Sequence, residues 1–299
     1  NKVMTFLEQD KDIFRVFDLI AYSLPQKDTI RYNIQKIDGY DPMIMYDYHL
    51  YIANMENITF KIASSLPTKN VPNQIMLSLL NGKYLVSDKL LSYQDYELMF
   101  NTTANLYIFG AMPYFTENKL SDPYELVRTQ TVYVYRNKEY LPRVFIVPNA
   151  KVLNRGDILS ELKKPNFKPK EMVLLEKSPN KPLFNKGEYK EAKILFYSPN
   201  KINLEVNIDN PAFLVLSEIW YPGWKAFDNG KETEIFRANY ILRSIYLEKG
   251  EHKIDFYYDP FSLKTGMWIT LITLLSIIIY FAYILMCTNK IKRDFETFK

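Results

Sequence analysis

Four ionisable side chains, Asp38, Asp41, Asp47 and His49, fall within twelve residues of one another. Carboxylates this close could hold a hard cation, or could divide into a general acid and a general base. A helix opening at Asp41 would carry Asp47 about 600° further round, roughly onto the opposite face. The group therefore reads as a turn and a helix cap, with Asp41-Pro42 as N-cap and first-turn proline. The histidines are His49 and His252, too few to favour a triad or a metal cage. No stretch matches a His-Glu-x-x-His zinc site, a Gly-x-Ser-x-Gly elbow or a phosphate loop. No catalytic residue, metal site or cofactor is identifiable.

A second group lies in "IWYPGWKAFDNGKETEIFRANYILRS", residues 219–244. Tyr221 and Trp224, with Trp220, could stack on the faces of sugar rings. The plainer reading is packing, since tryptophan brings a large apolar area and one donor. Arg237 and Arg243 are six residues apart, read as one strand with both side chains on one face. Their guanidinium forks suit a phosphate; a solvated or carboxylate-paired strand face is the plainer reading. Tyr221, Trp224, Arg237 and Arg243 are the candidate substrate-binding residues. His252 is expected to close a turn, and Arg143, after Pro142, to brace a junction between domains.

The elements that must position these residues are clearest after residue 190. In "KINLEVNI" Ile202, Leu204, Val206 and Ile208 alternate with polar residues, the period of a strand with one wet face. "AKILFYS", "AFLVLSEI", "GWKAF", "KETEIF", "ILRSIYL" and "KIDFYYD" complete seven short strands. Asn229-Gly230 and Gly250 mark turns that want positive φ. An antiparallel sandwich over 191–262 is expected. Residues 151–190 contain Pro165, Pro169, Pro179, Pro182 and many lysines, and read mostly as connector with "EMVLLE" as a short strand. Residues 1–150 mix strands ("FRVFDL", "KYLVSD", "LYIFGAM", "TVYVYRN") with helices over 41–55 and 73–82, the latter stopping at Gly82. A mixed α/β domain is expected there, so the whole is α+β.

Met267 to Cys287 contains no charged residue. At about 1.5 Å per residue it spans roughly 30 Å, the thickness of the hydrocarbon core. A transmembrane helix is expected over 263–288, with a tail over 289–299. Lys290, Lys292 and Arg293 outweigh the single Lys264, placing the tail in the cytoplasm and residues 1–263 outside it. The 38 basic and 34 acidic residues are scattered, which argues against a nucleic-acid partner. The single cysteine, Cys287, excludes an intrachain disulfide. The chain opens on Asn1 without an Arg- or Lys-led apolar leader, and is expected to continue a longer polypeptide.

Several fragments resemble one family. Tyr221-Pro222-Gly223-Trp224, Asp228-Asn229-Gly230, Arg237-Ala238-Asn239-Tyr240 and Gly250-Glu251-His252 are similar to the C-terminal segment of YfhO-type bacterial membrane proteins. "KIDGYDPMIMYDY" (36–48), "LLNGKYLVSD" (79–88) and "VYVYRNKEYLPRVFIV" (132–147) agree with it in order. The resemblance covers most of residues 13–285. It implies kinship with GT-C-type glycosyltransferases, which span the membrane many times and use polyprenyl-phosphate sugars. It further implies catalytic carboxylates upstream of this chain, and an accessory role here: acceptor binding or capping of an active site. The partners implied are membrane lipid, a polyprenyl-phosphate sugar, an envelope glycan and the rest of the polypeptide. The rival expectation is a single-pass, membrane-anchored carbohydrate-binding or structural protein without catalysis.

Overall fold

The computed structural model describes residues 2–20, 24, 26–37, 44–58, 70–92, 94–109, 112–119, 125–184 and 186–296. Helix α1 (Lys2–Leu7) buries Val3, Met4 and Leu7, which share one face. Strand β1 (Arg15–Asp18), helix α2 (Gln26–Arg31) and strand β2 (Gln35–Lys36) follow, then helices α3 (Tyr46–Met55) and α4 (Gln74–Leu79). Asp38 and the expected cap at Asp41-Pro42 lie outside the described residues; α3 opens at Tyr46. The Asn73 side chain caps α4 by accepting from the Met76 amide at 3.1 Å. The left-handed stop falls one residue earlier than expected, at Asn81 (φ 60°), and the helix itself ends at Leu79. Gly82 instead opens the next strand, where a Cβ would come within 2.9 Å of the Leu77 carbonyl oxygen.

Strands β3 (Gly82–Ser87), β4 (Tyr96–Phe109), β5 (Met112–Thr116) and β6 (Glu125–Asn137) join β1 and β2 in a mixed sheet of order β2-β1-β3-β6-β4-β5. Strand β1 runs parallel to β2 and β3, and the remaining pairs are antiparallel. The "LYIFGAM" stretch, expected as one strand, divides between β4 and β5. Side chains alternate across this sheet. Val16, Tyr84, Val86, Val132 and Val134 pack with α1, while Phe17, Leu85 and Tyr135 face a larger core that includes Tyr51, Met55, Met76 and Leu77 of α3 and α4.

Strands β7 (Val144–Val147) and β8 (Asn149–Val152), helix α5 (Arg155–Leu162), β9 (Met172–Leu175) and β10 (Lys190–Glu191) come next. The remaining strands are β11 (Lys193–Ser198), β12 (Lys201–Ile208), β13 (Ala212–Ile219), β14 (Trp224–Asp228), β15 (Lys231–Thr233), β16 (Phe236–Ala238), β17 (Leu242–Leu247) and β18 (Gly250–Tyr258). They form a seven-stranded mixed sheet, β10-β7-β13-β17-β16-β9-β8, and a five-stranded antiparallel sheet, β11-β12-β18-β14-β15.

The seven strands expected over 191–262 are therefore present but do not form a unit of their own. "KETEIF" divides between the two sheets, and strands from 144–191 complete the seven-stranded one. The stretch expected as connector buries Ile158, Leu162, Phe167 and Val173–Leu175 in the larger core. Its prolines stand outside β9, so they leave that strand's backbone bonds intact. The seven-stranded sheet is apolar on both sides. Phe145, Val147, Phe213 and Val215 face the larger core, while Val144, Ile146, Leu214 and Leu216 face Ile202, Leu204, Ile254 and Phe256 of the five-stranded sheet. That double burial explains why "AFLVL" is a continuous apolar run, whereas "KINLEVNI" alternates with one side wet.

Helix α6 (Phe261–Glu296) follows β18 after two residues. Its first part, Phe261–Thr288, is long and apolar enough to cross a membrane, and its side chains are not covered by the rest of the protein.

Candidate functional site

The Tyr-Pro-Gly-Trp turn is fastened to the root of α6. Gly223 has φ 101°, and a Cβ there would stand 2.9 Å from Pro260 Cβ and 3.0 Å from Pro260 Cα. The Asp259 amide donates to the Gly223 carbonyl oxygen at 2.7 Å. Lys225 and Lys264 both pair with Asp259, at 3.2 and 2.7 Å. Trp224 and the exposed Tyr221 both lie against the Tyr258 ring, with centroids 5.5 and 6.3 Å away. On the neighbouring hairpin the Tyr258 amide donates to the Asn200 carbonyl oxygen at 3.0 Å. The folded head is therefore tied to Asp259 and Pro260, the two residues that lead into the apolar helix, and to Lys264 near its start.

The two candidate arginines lie on different strands. A tight turn at Asn239 (φ 45°) and Tyr240 (φ 76°) folds β16 back on β17, so Arg237 and Arg243 become cross-strand partners. They share a face of the sheet, as opposed residues of an antiparallel pair do. Arg237 stacks on Trp220 at 4.1 Å and pairs with Asp47 at 3.3 Å and Glu176 at 3.9 Å. Arg155 bonds the same two carboxylates at 2.6 and 2.8 Å and lies over the Tyr240 ring. Two arginines and two carboxylates thus balance, and Arg237 takes the carboxylate-paired arrangement. Burial pushes Glu176 up from the usual carboxylate value, against the nearby Arg155.

Arg243 is buried, with its guanidinium 3.8 Å from the centre of the Trp224 ring. It belongs to a different cluster. Glu218 Oε1 accepts from Arg143 at 2.7 Å, Arg15 at 3.0 Å and the Tyr197 hydroxyl at 2.6 Å, while Arg243 stands 4.0 Å from Oε2. Arg143 also donates to Gln35 at 2.6 Å, and Arg15 to the carbonyl oxygens of Leu80 and Ser217. All three sheets meet here, so Arg143 does span the junction between them. Burial would raise the Glu218 pKa, but the charges of Arg15 and Arg143 outweigh it and keep the carboxylate ionised. Burial depresses both Arg143 and Arg243 to about 10.

A cleft of about 840 Å³ borders this cluster; Arg15, Gln35, Tyr197 and Glu218 line it, whereas Arg143 and Arg243 do not. Its wall includes Asp10 and Asp12, both held by Lys83 at 2.5 and 2.7 Å. His252 closes a turn, with Nδ1 2.8 Å from Asp228 and Nε2 2.8 Å from the Glu248 carbonyl oxygen. Among the described residues no group of three or more His, Cys, Asp or Glu side chains could hold a metal ion.

The structure thus brings Trp224 and Arg243 into contact, sets Tyr221 beside them at the helix root, and sends Arg237 to a balanced ion-pair group. Arg15, Gln35, Tyr197 and Glu218 carry no motif. One signal was present: the Ser217-Glu218 break in the apolar run of β13, where the ladder also shifts register between Leu216 and Ile219.

Residues 158–270 match the sequence model of the family described as bacterial membrane protein YfhO. A stretch of 135 residues is 25% identical to "Uncharacterized protein YfhO" of Bacillus subtilis (strain 168), covering 44% of this chain and 15% of that protein. Among solved structures, the arabinofuranosyltransferase AftD from Mycobacteria aligns with 52% of this chain and 18% of its own, at 10% identity and a TM-score of 0.22. A second AftD structure aligns with 66% of this chain and 14% of its own, at 12% identity and the same TM-score of 0.22. That score is too low to indicate a common fold. The YfhO-type resemblance holds. The matched residues contain the Tyr-Pro-Gly-Trp turn, the Arg237–Tyr240 turn, the Gly250–His252 turn and the start of α6.

Proposed function

We propose that this YfhO-type chain is the C-terminal, extracytoplasmic end of a multi-spanning GT-C-type glycosyltransferase. The whole protein would move a sugar from a polyprenyl-phosphate donor to an envelope glycan, polymer or lipid. The head, with its two facing sheets packed as a sandwich, would bind the acceptor or cap the active site, and the catalytic carboxylate would come from upstream. The observation that carries this is the joint at Gly223, Tyr258 and Pro260. A head packed against the root of an apolar helix keeps one orientation toward the membrane, as a cap or acceptor clamp requires. Tyr221 and Trp224 lie at that joint, the level an acceptor on the outer leaflet would reach. Lys290, Lys292 and Arg293 beyond the span support a cytoplasmic tail.

Two measurements test this reading. Protease added to intact cells should cut the head, and complete protection would reverse the orientation. Membranes containing the full gene product should transfer labelled sugar from a polyprenyl-phosphate pool to the envelope fraction. Unchanged transfer when the gene is deleted would refute the enzymatic reading. It would leave the single-pass, carbohydrate-binding or structural protein, which the one apolar helix among the described residues also suits.

A further inference from the structure

We propose that the end of the head nearest α6 rests on the bilayer surface and binds anionic lipid headgroups. The strand registers bring three chain segments to that end. Lys201 and Lys225 stand opposite Tyr257 on the strands to either side, and Trp224 stands opposite Tyr258. The Pro199-Asn200 tip of the β11–β12 hairpin, the turn at Tyr221–Gly223 and the Asp259-Pro260 link to α6 therefore lie side by side. The Tyr258 amide bond to Asn200 and the Asp259 amide bond to Gly223 fasten all three together.

The length of the helix sets the depth of this end. Phe261–Thr288 has 28 residues, roughly 42 Å at about 1.5 Å per residue. That matches the hydrocarbon core together with both headgroup layers, about 40–45 Å. The charge-free stretch Met267–Cys287 accounts for the core, so Phe261 and Lys264 fall among the headgroups. Tyr258, the last residue of β18, is joined to Phe261 through Asp259 and Pro260 alone, at most about 11 Å of extended chain. No spacer holds the head away from the lipid.

The side chains at this end suit a headgroup layer. Tyr221 is exposed, and Tyr257 lies half-buried on the wet face of its sheet, stacked on Phe227 at 5.0 Å. Tyrosine is enriched at membrane interfaces because its ring is apolar and its hydroxyl polar. Lys225 and Lys264, 42% and 58% exposed, share Asp259 and leave one positive charge over. Lys201, exposed on the wet face, adds a second. One row further from α6 the Asp255 carboxylate accepts from Asn203; counting it, this end still carries a net positive charge. Lysines at this depth attract anionic lipid, an effect that fades within a Debye length. The inference requires only the head and α6 in one chain, and does not rest on the glycosyltransferase reading.

The test uses the full chain in nanodiscs, with a fluorophore on one introduced cysteine in a Cys287→Ser background. Asn200→Cys places the dye at the proposed contact. Asp209→Cys places it beyond the opposite end of β12, about 30 Å away at roughly 3.3 Å per residue. Phosphatidylcholine with a nitroxide on its headgroup quenches a dye at the bilayer surface, and aqueous iodide quenches a dye in solvent. Nitroxide quenching is expected to be stronger at Asn200 than at Asp209, and to rise at Asn200 when equimolar phosphatidylglycerol is included. Salt at about 1 M, where the Debye length is about 3 Å, should remove that rise. Lys201→Gln and Lys225→Gln should each lower the docking constant about fivefold in phosphatidylglycerol, the share of one lysine near the surface, and leave it unchanged in phosphatidylcholine. Both variants are first checked for a cooperative thermal transition. Equal nitroxide quenching at the two sites overturns the contact. A docking constant indifferent to phosphatidylglycerol, or to Lys201→Gln in its presence, overturns the binding of anionic headgroups. Protection of Asn200 from both quenchers would mean that protein covers this end, and overturns the proposal too. Any of these failures leaves the labelled-sugar measurement, and the reading it tests, untouched.

Discussion

Replacing Gly223 by alanine should loosen the joint between head and membrane helix. Two costs add. A non-glycine residue at φ 101° is strained by about 1–3 kcal/mol. The new Cβ would also lie 2.9 Å from Pro260 Cβ and 3.0 Å from both Pro260 Cα and Tyr258 Cε2. The Pro260 Cα cannot yield without moving the start of α6, and such overpacking costs about 1–3 kcal/mol. The sum, about 2–6 kcal/mol, falls on the contact made by the Asp259 amide with the Gly223 carbonyl oxygen. At about 1.4 kcal/mol per tenfold, the Asp259 amide should open roughly thirtyfold to about twenty-thousandfold more often. Amide hydrogen exchange on the full chain in nanodiscs reads this directly. Gly230 is the matched control: φ is 81°, but nothing lies within 4 Å of its Cβ position. Gly230→Ala should therefore show the backbone cost alone, confined to the β14–β15 turn. Wild-type protection of Asp259 in Gly223→Ala would refute the argument that the joint depends on this close approach.

Three further outcomes follow from the ion pairs. Glu218→Ala should lower stability to urea unfolding by about 3–5 kcal/mol, because it leaves buried guanidinium groups with no counter-charge; Glu218→Gln, which keeps an accepting oxygen, should lose less. Burial raises the Asp10 pKa, but the Lys83 bond and the Asp12 amide and Tyr84 hydroxyl bonds outweigh it, so the folded value lies below the ordinary one. Its contribution is complete above the ordinary carboxylate pKa and fades as pH falls through the lower folded value, so Asp10→Asn should flatten the acid limb of a stability–pH curve below about pH 4. Asp47→Asn should cost no more than about 1 kcal/mol, with the effect shrinking in high salt, since Asp47 and Arg155 are each more than a third exposed.

Local patterns made much of the fold legible. The alternation in β12, the turn at Asn229-Gly230 and the charge-free run inside α6 are each written within a few consecutive residues. They depend on geometry that repeats every two or 3.6 residues. Other readings went astray where two conformations fit the same letters. "ANYIL" is compatible with a continuous strand, and only the left-handed turn at Asn239 and Tyr240 makes Arg237 and Arg243 neighbours on two strands. Residues 151–190 look like a linker by their prolines, yet Ile158, Leu162 and Val173–Leu175 find an apolar surface to cover. That surface is built by residues distant in the chain.

The same division holds for the candidate site. Tyr221, Trp224 and Arg243 could be singled out by residue type alone, and the length and composition of the apolar run in α6 were enough to mark a helix able to cross a membrane. The partners of Arg243 could not be inferred. Glu218 meets Arg143 across 75 residues and Arg15 across 203. No short-range preference encodes such a meeting. It arises because hydrophobic burial, which has no direction of its own, draws three sheets together and leaves the charged groups at their junction to find one another.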